Sequence, residues 1–408
     1  MLFLSLIVFV NLVLAKYALE DDYFQVNSQG SFFDKFAFWS QKDPTDGFVR
    51  YKNYEACVER GLIRKTNVAP HGRPSVRIES KKTYKKGLIV LALDHMPGST
   101  CGVWPAFWTY GPSWPKNGEI DIIEGINDFH ANRMTLHTGP GCSLSNKTHD
   151  SPTISPNYCG EVLYTRCVSG ENGTDNTGCS IGTRDTTSYG DGLNAIGGGI
   201  YATDWTDEYI AIYFFPRDSC RGDDVSGPLG EHPDPASWGL PLSKFYLTCD
   251  IGRNFRNHSI IFDITFCGGW ADGKQWNTST PINSTWLPEP TFDGGYGVVG
   301  NQSCARKTGH SCKDWVMNHP EAFKDAYWSV NALRVYQEQE VEHQSTYQPT
   351  SPIEPGTAGL HDLNLSESGV ADTTSVKEEQ LNKEQLYEHR SRLVRSRHLG
   401  LGLPPVGS

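Results

Sequence analysis

Apolar residues run through this chain in short blocks separated by turn formers, not in helical stripes. Residues 75–80 (SVRIES), 87–94 (GLIVLALD), 208–215 (EYIAIYFF) and 259–267 (SIIFDITFC) are such blocks, bounded by Gly, Pro, Asn and Asp. β-Branched and aromatic side chains dominate them, as on a packed, pleated surface. No segment repeats in heptads or holds a long apolar stripe at helical spacing, and the chain has no internal repeat. With 41 glycines available for turns, the pattern predicts an all-β fold, a sandwich or barrel of short strands.

The two ends depart from this pattern. Residues 2–15 (LFLSLIVFVNLVLA) form one apolar run, too short for a comfortable bilayer span. It ends in Val13-Leu14-Ala15, a small-residue cleavage pattern, so residues 1–15 are expected to be a secretory signal peptide and the product extracellular. No later run is apolar enough to insert stably in a membrane. Residues 16–340 read as one globular domain and residues 341–408 as a disordered, charged tail. The composition changes there: residues 340–372 are rich in Ser, Thr, Pro and Glu without strand alternation. Within the tail, Ser375 and Glu378 have capping-box spacing, which predicts a short helix over 376–390. Arg390, Arg392, Arg395 and Arg397 follow as a basic cluster.

Composition narrows the function classes. A formal net charge of −11 repels phosphates, so nucleic acid is not expected as a partner. Eleven cysteines lie outside the leader, at 57, 101, 142, 159, 167, 179, 220, 249, 267, 304 and 312. In an exported protein they should mostly be disulfides, and an odd number leaves at least one over. None has C-x-x-C spacing, which argues against a zinc knot. Sequons at Asn146, Asn172, Asn257, Asn277, Asn283, Asn301 and Asn364 fit a glycosylated, secreted chain. Residues 139–203 hold Cys142, Cys159, Cys167 and Cys179 and the stretch SGENGTDNTGCSIG over 169–182. That region is expected to be a long, cross-linked loop of the kind that shapes binding clefts.

The candidate chemistry lies in residues 104–127, WPAFWTYGPSWPKNGEIDIIEGIN. In a regular strand Glu119 and Asp121 share one face and Ile120 and Ile122 the other. Strict alternation would then bury Glu124 among isoleucines at high cost. One extra residue near Ile122–Ile123, a β-bulge, brings Glu124 back to the polar face. Three carboxylates on one face repel one another and raise at least one pKa. Retaining glycoside hydrolysis uses such a set, one carboxylate as nucleophile and a second as acid and then base. A solvated face or a calcium site would also accommodate three acids. Trp104, Trp108 and Trp114 just upstream favour the enzyme, because pyranose faces stack on aromatic rings.

GEIDIIEG resembles the E-x-D-x-x-E signature of glycoside hydrolase family 16, in the bulged form of its laminarinase-type branch. The flanks are similar in order over most of residues 30–340: GRPSVRIESKKTY (72–84), HMPGSTCGVWPAFW (95–108), WPKNGEIDIIEGIND (114–128), TLHTGPGC (135–142), YATDWT (201–206), YFFPR (213–217) and FCGGWA (266–271). They resemble the fungal endo-1,3(4)-β-glucanases. The resemblance implies a β-jelly roll of two antiparallel sheets with the cleft across the concave one. It implies Glu119 as nucleophile, Asp121 as assisting carboxylate and Glu124 as acid/base. It also implies His137 near the leaving-group side, Trp104 and Trp108 on the donor side, Trp270 as an acceptor-side platform and Arg73 reaching a donor-side sugar. The implied partner is β-1,3 or mixed β-1,3/1,4 glucan, handled without cofactor or metal by a monomer. A wall-remodelling transglycosylase would share the glycosyl-enzyme intermediate, and a lectin-like sandwich would bind without cutting. Two features depart from the family pattern. Asp204 stands in YATDWT where Glu is expected, and the segment 169–182 is longer than usual.

Overall fold

The computed structural model describes residues 17–25, 32–60, 71–149, 161–169, 176–217, 227–278 and 303–339. The predicted leader, Cys159, Cys220 and four sequons (Asn172, Asn283, Asn301, Asn364) lie outside the described residues. So does everything proposed for the tail, including the 376–390 helix and the basic cluster. Contacts divide the chain at Glu342/His343. No helix among the described residues is long and apolar enough to cross a membrane.

Two antiparallel sheets dominate the described residues. The six-stranded sheet has the order β1 (Tyr17–Asp22), β16 (Ser329–Glu338), β6 (Gly87–His95), β12 (Gly199–Trp205), β13 (Ile210–Pro216) and β14 (Ser243–Phe245). The eight-stranded sheet has the order β10 (Glu161–Tyr164), β11 (Cys179–Gly182), β9 (Arg133–His137), β8 (Glu119–Glu124), β7 (Val103–Tyr110), β15 (Ser259–Phe266), β5 (Arg77–Ser80) and β2 (Phe36–Phe38). A short parallel pair, β3 (Val49–Tyr51) with β4 (Arg73–Ser75), stands apart. This is the jelly roll expected from the sequence. Val76 breaks the predicted 75–80 strand: Ser75 closes β4, and β5 begins only at Arg77.

The core lies between the sheets. Ile89, Leu91, Leu93, Tyr201 and Ile212 meet Phe107, Ile120, Met134, Leu136, Ile260 and Phe262 there. The six-stranded sheet is covered on its other face too, where Leu88, Val90, Ala202, Ala211 and Tyr213 pack with Trp238 and Tyr336. Burial on both faces explains why residues 88–93 are apolar without alternation. Asp204 falls in this second layer, fully buried, and accepts hydrogen bonds from Tyr17 Oη at 2.5 Å and Tyr209 Oη at 2.9 Å. The family departure at this position is therefore a satisfied buried carboxylate that ties β1 to the sheet.

Among the described residues, four disulfides join Cys101–Cys304, Cys142–Cys249, Cys167–Cys179 and Cys267–Cys312. Cys57 carries a free thiol, which burial pushes up to about 11. Two bridges fix the short helices Cys304–Thr308 and Cys312–Asn318 to the start of β7 and the end of β15. Asn146, Asn257 and Asn277 are exposed, as sequons require to carry a glycan.

Candidate active site

Strand β8 carries the three acids. Against β7, Phe107 faces Ile123 and Trp108 faces Asp121, which leaves Ile122 as the extra residue of a bulge. Glu119, Asp121 and Glu124 pair with Tyr110, Trp108 and Ala106. These partners are alternate residues of β7, so all three acids share one face. Ile120, Ile122 and Ile123 are all fully buried beneath them. The bulge thus resolves the conflict read in the sequence: two successive isoleucines stay in the core and Glu124 turns outward.

Neighbouring strands complete the face. His137 on β9 pairs with Glu119. Its Nε2 lies 3.3 Å from Asp121 Oδ2 and 3.7 Å from Glu119 Oε1, while Nδ1 lies 2.7 Å from Ser169 Oγ. Gly178 has φ +67° and packs flat on the imidazole: a Cβ there would stand 2.6 Å from Leu136 O and 2.8 Å from the His137 ring. Ser169 and Gly178, both within the unusual 169–182 segment, therefore both pack against His137.

At the other end of the acid row, the Trp104 indole N–H donates to Glu124 Oε1 at 2.9 Å. Trp104 meets Trp270 edge to face at 5.5 Å, and the Arg133 guanidinium lies 5.0 Å from the Trp270 ring. Trp104 and Trp270 are thus ring neighbours at the Glu124 end of the acid row. Trp108 belongs to a separate stack. There Arg77 lies 4.9 Å from the Trp108 ring and 4.8 Å from the Trp39 ring, and donates to Glu79 Oε1 at 2.8 Å. Trp114 is exposed, its ring 6.4 Å from that of His137.

Arg73 does not join the site. It is buried beneath the helix Cys312–Asn318, donates to Val316 O and stacks on Phe323 at 4.7 Å. Burial lowers its pKa to about 10. It anchors a helix end instead of reaching a sugar.

Burial lifts all three carboxyls of β8 above the usual range. Asp121 adds repulsion at Glu119, and Glu124 adds it at Asp121, while the Trp104 hydrogen bond opposes the rise at Glu124. A fourth acid, Asp263 on β15, is pushed up to about 7 by burial, opposed by Arg77, whose Nη1 lies 4.0 Å away. Arg133 acts on Glu124 and Asp121 as a nearby positive charge. Such a cluster holds its protons to higher pH than free carboxylates do. Glu119, Asp121 and His137 present ligand atoms within 4.8 Å of one another. Calcium takes about six to eight oxygens, whereas here the imidazole Nε2 sits 3.3 Å from Asp121 Oδ2 and aromatic rings fill the flanks. The donor set favours proton chemistry over a cation site.

Arg77, Arg133 and Asp263 were not singled out in the sequence, yet alternation carries them. R-M-T-L-H places Arg133, Thr135 and His137 on one face, R-I-E pairs Arg77 with Glu79, and Asp263 interrupts an apolar strand.

Residues 36–288 match the family model described as "XgeA-like, catalytic GH16 domain". An endo-1,3(4)-β-glucanase of Arthroderma benhamiae is 38% identical over 359 residues, covering 84% of this chain and 68% of that protein. A probable endo-1,3(4)-β-glucanase of Aspergillus flavus is 38% identical over 321 residues, covering 75% of this chain and 43% of its own length. The chain spans about half the length of several such relatives. Among solved structures, laminarinase 16A of Phanerochaete chrysosporium, with β-glucans in donor and acceptor sites, superposes with TM-score 0.63 at 34% identity, covering 79% of this chain and 99% of that one. An elongating family 16 β-1,3-glucosyltransferase gives TM-score 0.60 at 35% identity, covering 79% of this chain and all of that one. With this acid row on this jelly roll, the chain belongs to glycoside hydrolase family 16, in its XgeA-like catalytic group.

Proposed function

We propose that the chain is a secreted, retaining endo-1,3(4)-β-glucanase. The observation that carries this reading is the bulged strand that sets Glu119, Asp121 and Glu124 on one face beside His137. Glu119 attacks the anomeric carbon of a bound glucosyl unit while Glu124 gives its proton to the departing glycosidic oxygen. Glu124, now a carboxylate, takes a proton from water, which displaces Glu119 and restores both groups. Asp121, on the same face as Glu119, assists the nucleophile, and His137 stands next to both. Trp104 aims Glu124, and Trp108 and Trp270 offer ring faces to sugars. The glucanases among the relatives support the substrate class.

The test is product analysis on β-1,3-glucan and mixed-linkage glucan, with Glu119→Ala and Glu124→Gln as controls. The wild type is expected to release short oligosaccharides with retained anomeric configuration, and each variant to lose at least ~10³-fold in kcat. Full activity of Glu119→Ala excludes it as nucleophile. The elongating glucosyltransferase supports a second reading, in which a sugar hydroxyl replaces water as acceptor. Products longer than the substrate select that reading.

A further inference from the structure

The bulge that turns Glu124 outward takes backbone groups out of the ladder. Pairing between β8 and β9 covers only Glu119, Ile120 and Asp121. Beyond that point the Ile122 carbonyl and the Glu124 amide have no strand partner on the β9 side, and Ile122 is fully buried. One side chain answers both. Asn132, just before β9 and 1% exposed, donates from Nδ2 to Ile122 O at 2.7 Å and accepts at Oδ1 from Glu124 N at 2.9 Å. A planar amide carries a donor and an acceptor at fixed spacing, so it stands in for the missing strand. Asn132 is itself held by its backbone: its carbonyl accepts from Thr183 N at 3.0 Å, and its N–H donates to Ser188 Oγ at 3.4 Å. Ser188 in turn donates to Asp185 O at 2.6 Å and accepts from Tyr201 Oη at its carbonyl.

We propose that Asn132 is a positioning residue for catalysis: its side-chain amide clamps the bulge and thereby fixes the carboxyl of Glu124 for proton transfer. Trp104 holds the head of Glu124 and Asn132 holds its backbone, so the acid has two anchors on separate elements. This rests on the reading of Glu124 as acid/base.

The experiment exploits the fact that a dinitrophenyl leaving group needs no proton and azide needs no base. Asn132→Ala is assayed on β-1,3-glucan and on a dinitrophenyl β-laminaribioside with azide, beside wild type and Glu124→Ala. On the polysaccharide, kcat of Asn132→Ala is expected to fall ~100-fold with KM changed less than ~3-fold. With the activated substrate and azide it should recover to within ~10-fold of wild type and yield the β-glycosyl azide, as Glu124→Ala should. Asn132→Asp supplies a second readout. Its carboxylate offers no donor to Ile122 O, but its acid form does, so its activity relative to wild type should rise as pH falls. Equal loss on both substrates, or polysaccharide activity near wild type, overturns the proposal. Absence of azide rescue in Glu124→Ala removes the acid/base reading, and this proposal with it. Azide rescue in Glu124→Ala alone leaves that reading standing and rejects Asn132.

Discussion

Carboxyl groups crowded on a dry strand face make the molecule sensitive to pH in a definite direction. Asp263 has a pKa raised by burial from 3.8 to about 7. Folding therefore favours its protonated form: the stabilisation is complete below the unfolded value and is lost as pH rises towards 7. The acids of β8 shift in the same direction. Melting temperature should accordingly fall between pH 4 and pH 7, and Asp263→Asn should flatten that slope. A slope equal to that of the wild type would show that Asp263 ionises normally. Side chains of this cluster were legible in the sequence only in part. Glu119, Asp121 and Glu124 were found because burying a carboxylate among isoleucines is costly, which forces one answer. Arg73 was misplaced because a motif records that an arginine is present, not which way it points. Its guanidinium finds Val316 O and the Phe323 ring, partners 243 and 250 residues away, and no local pattern encodes that.

Single elements act here through what they hold in place. The 169–182 segment, longer than the family pattern, was expected to belong to a loop that shapes a cleft. Its Ser169 Oγ and the flat backbone of Gly178 both pack against His137, and the Cys167–Cys179 bridge joins the chain close to both. Replacing Gly178 by Ala forces a Cβ into the imidazole at a positive φ. Kinetics should show kcat down by at least ~10-fold, because a small displacement of a site group is felt strongly. The fold should survive, with melting lowered by only a few degrees, roughly 1 kcal/mol of strain. Unchanged kcat would mean that His137 tolerates movement and has no part in the chemistry. The bulge was legible in sequence because the apolar period breaks at Ile122–Ile123. The clamp that fills it was not, since Asn132 lies eight residues beyond Glu124 and reads as an ordinary turn residue.

At the scale of the whole molecule, one contact layer decides which parts are dispensable. Strand β16 lies between β1 and β6, and its Leu333, Val335 and Tyr336 are fully buried. A chain ending after residue 339 should keep kcat/KM within ~2-fold of full length, since both sheets are complete by then. A chain ending after residue 328 should not accumulate as soluble protein. Loss of activity in the longer of these two truncated chains would make residues 340–408 part of the enzyme. The all-β class was legible from strand blocks alone, but strand order was not, because β6 pairs with partners more than 100 residues away on one side and more than 200 on the other. That order bears on how the protein is made. A ribosome releases β6 early, β12 gives it one neighbour, and its other edge stays open until residues 329–338 emerge. At about 5–20 residues per second this interval lasts on the order of ten seconds or more. Throughout it the nascent chain presents GLIVLALD, β-prone and nearly uncharged, as a bare edge. Chains terminated within this window are the ones expected to aggregate, and shielding that edge is the task the fold leaves to chaperones.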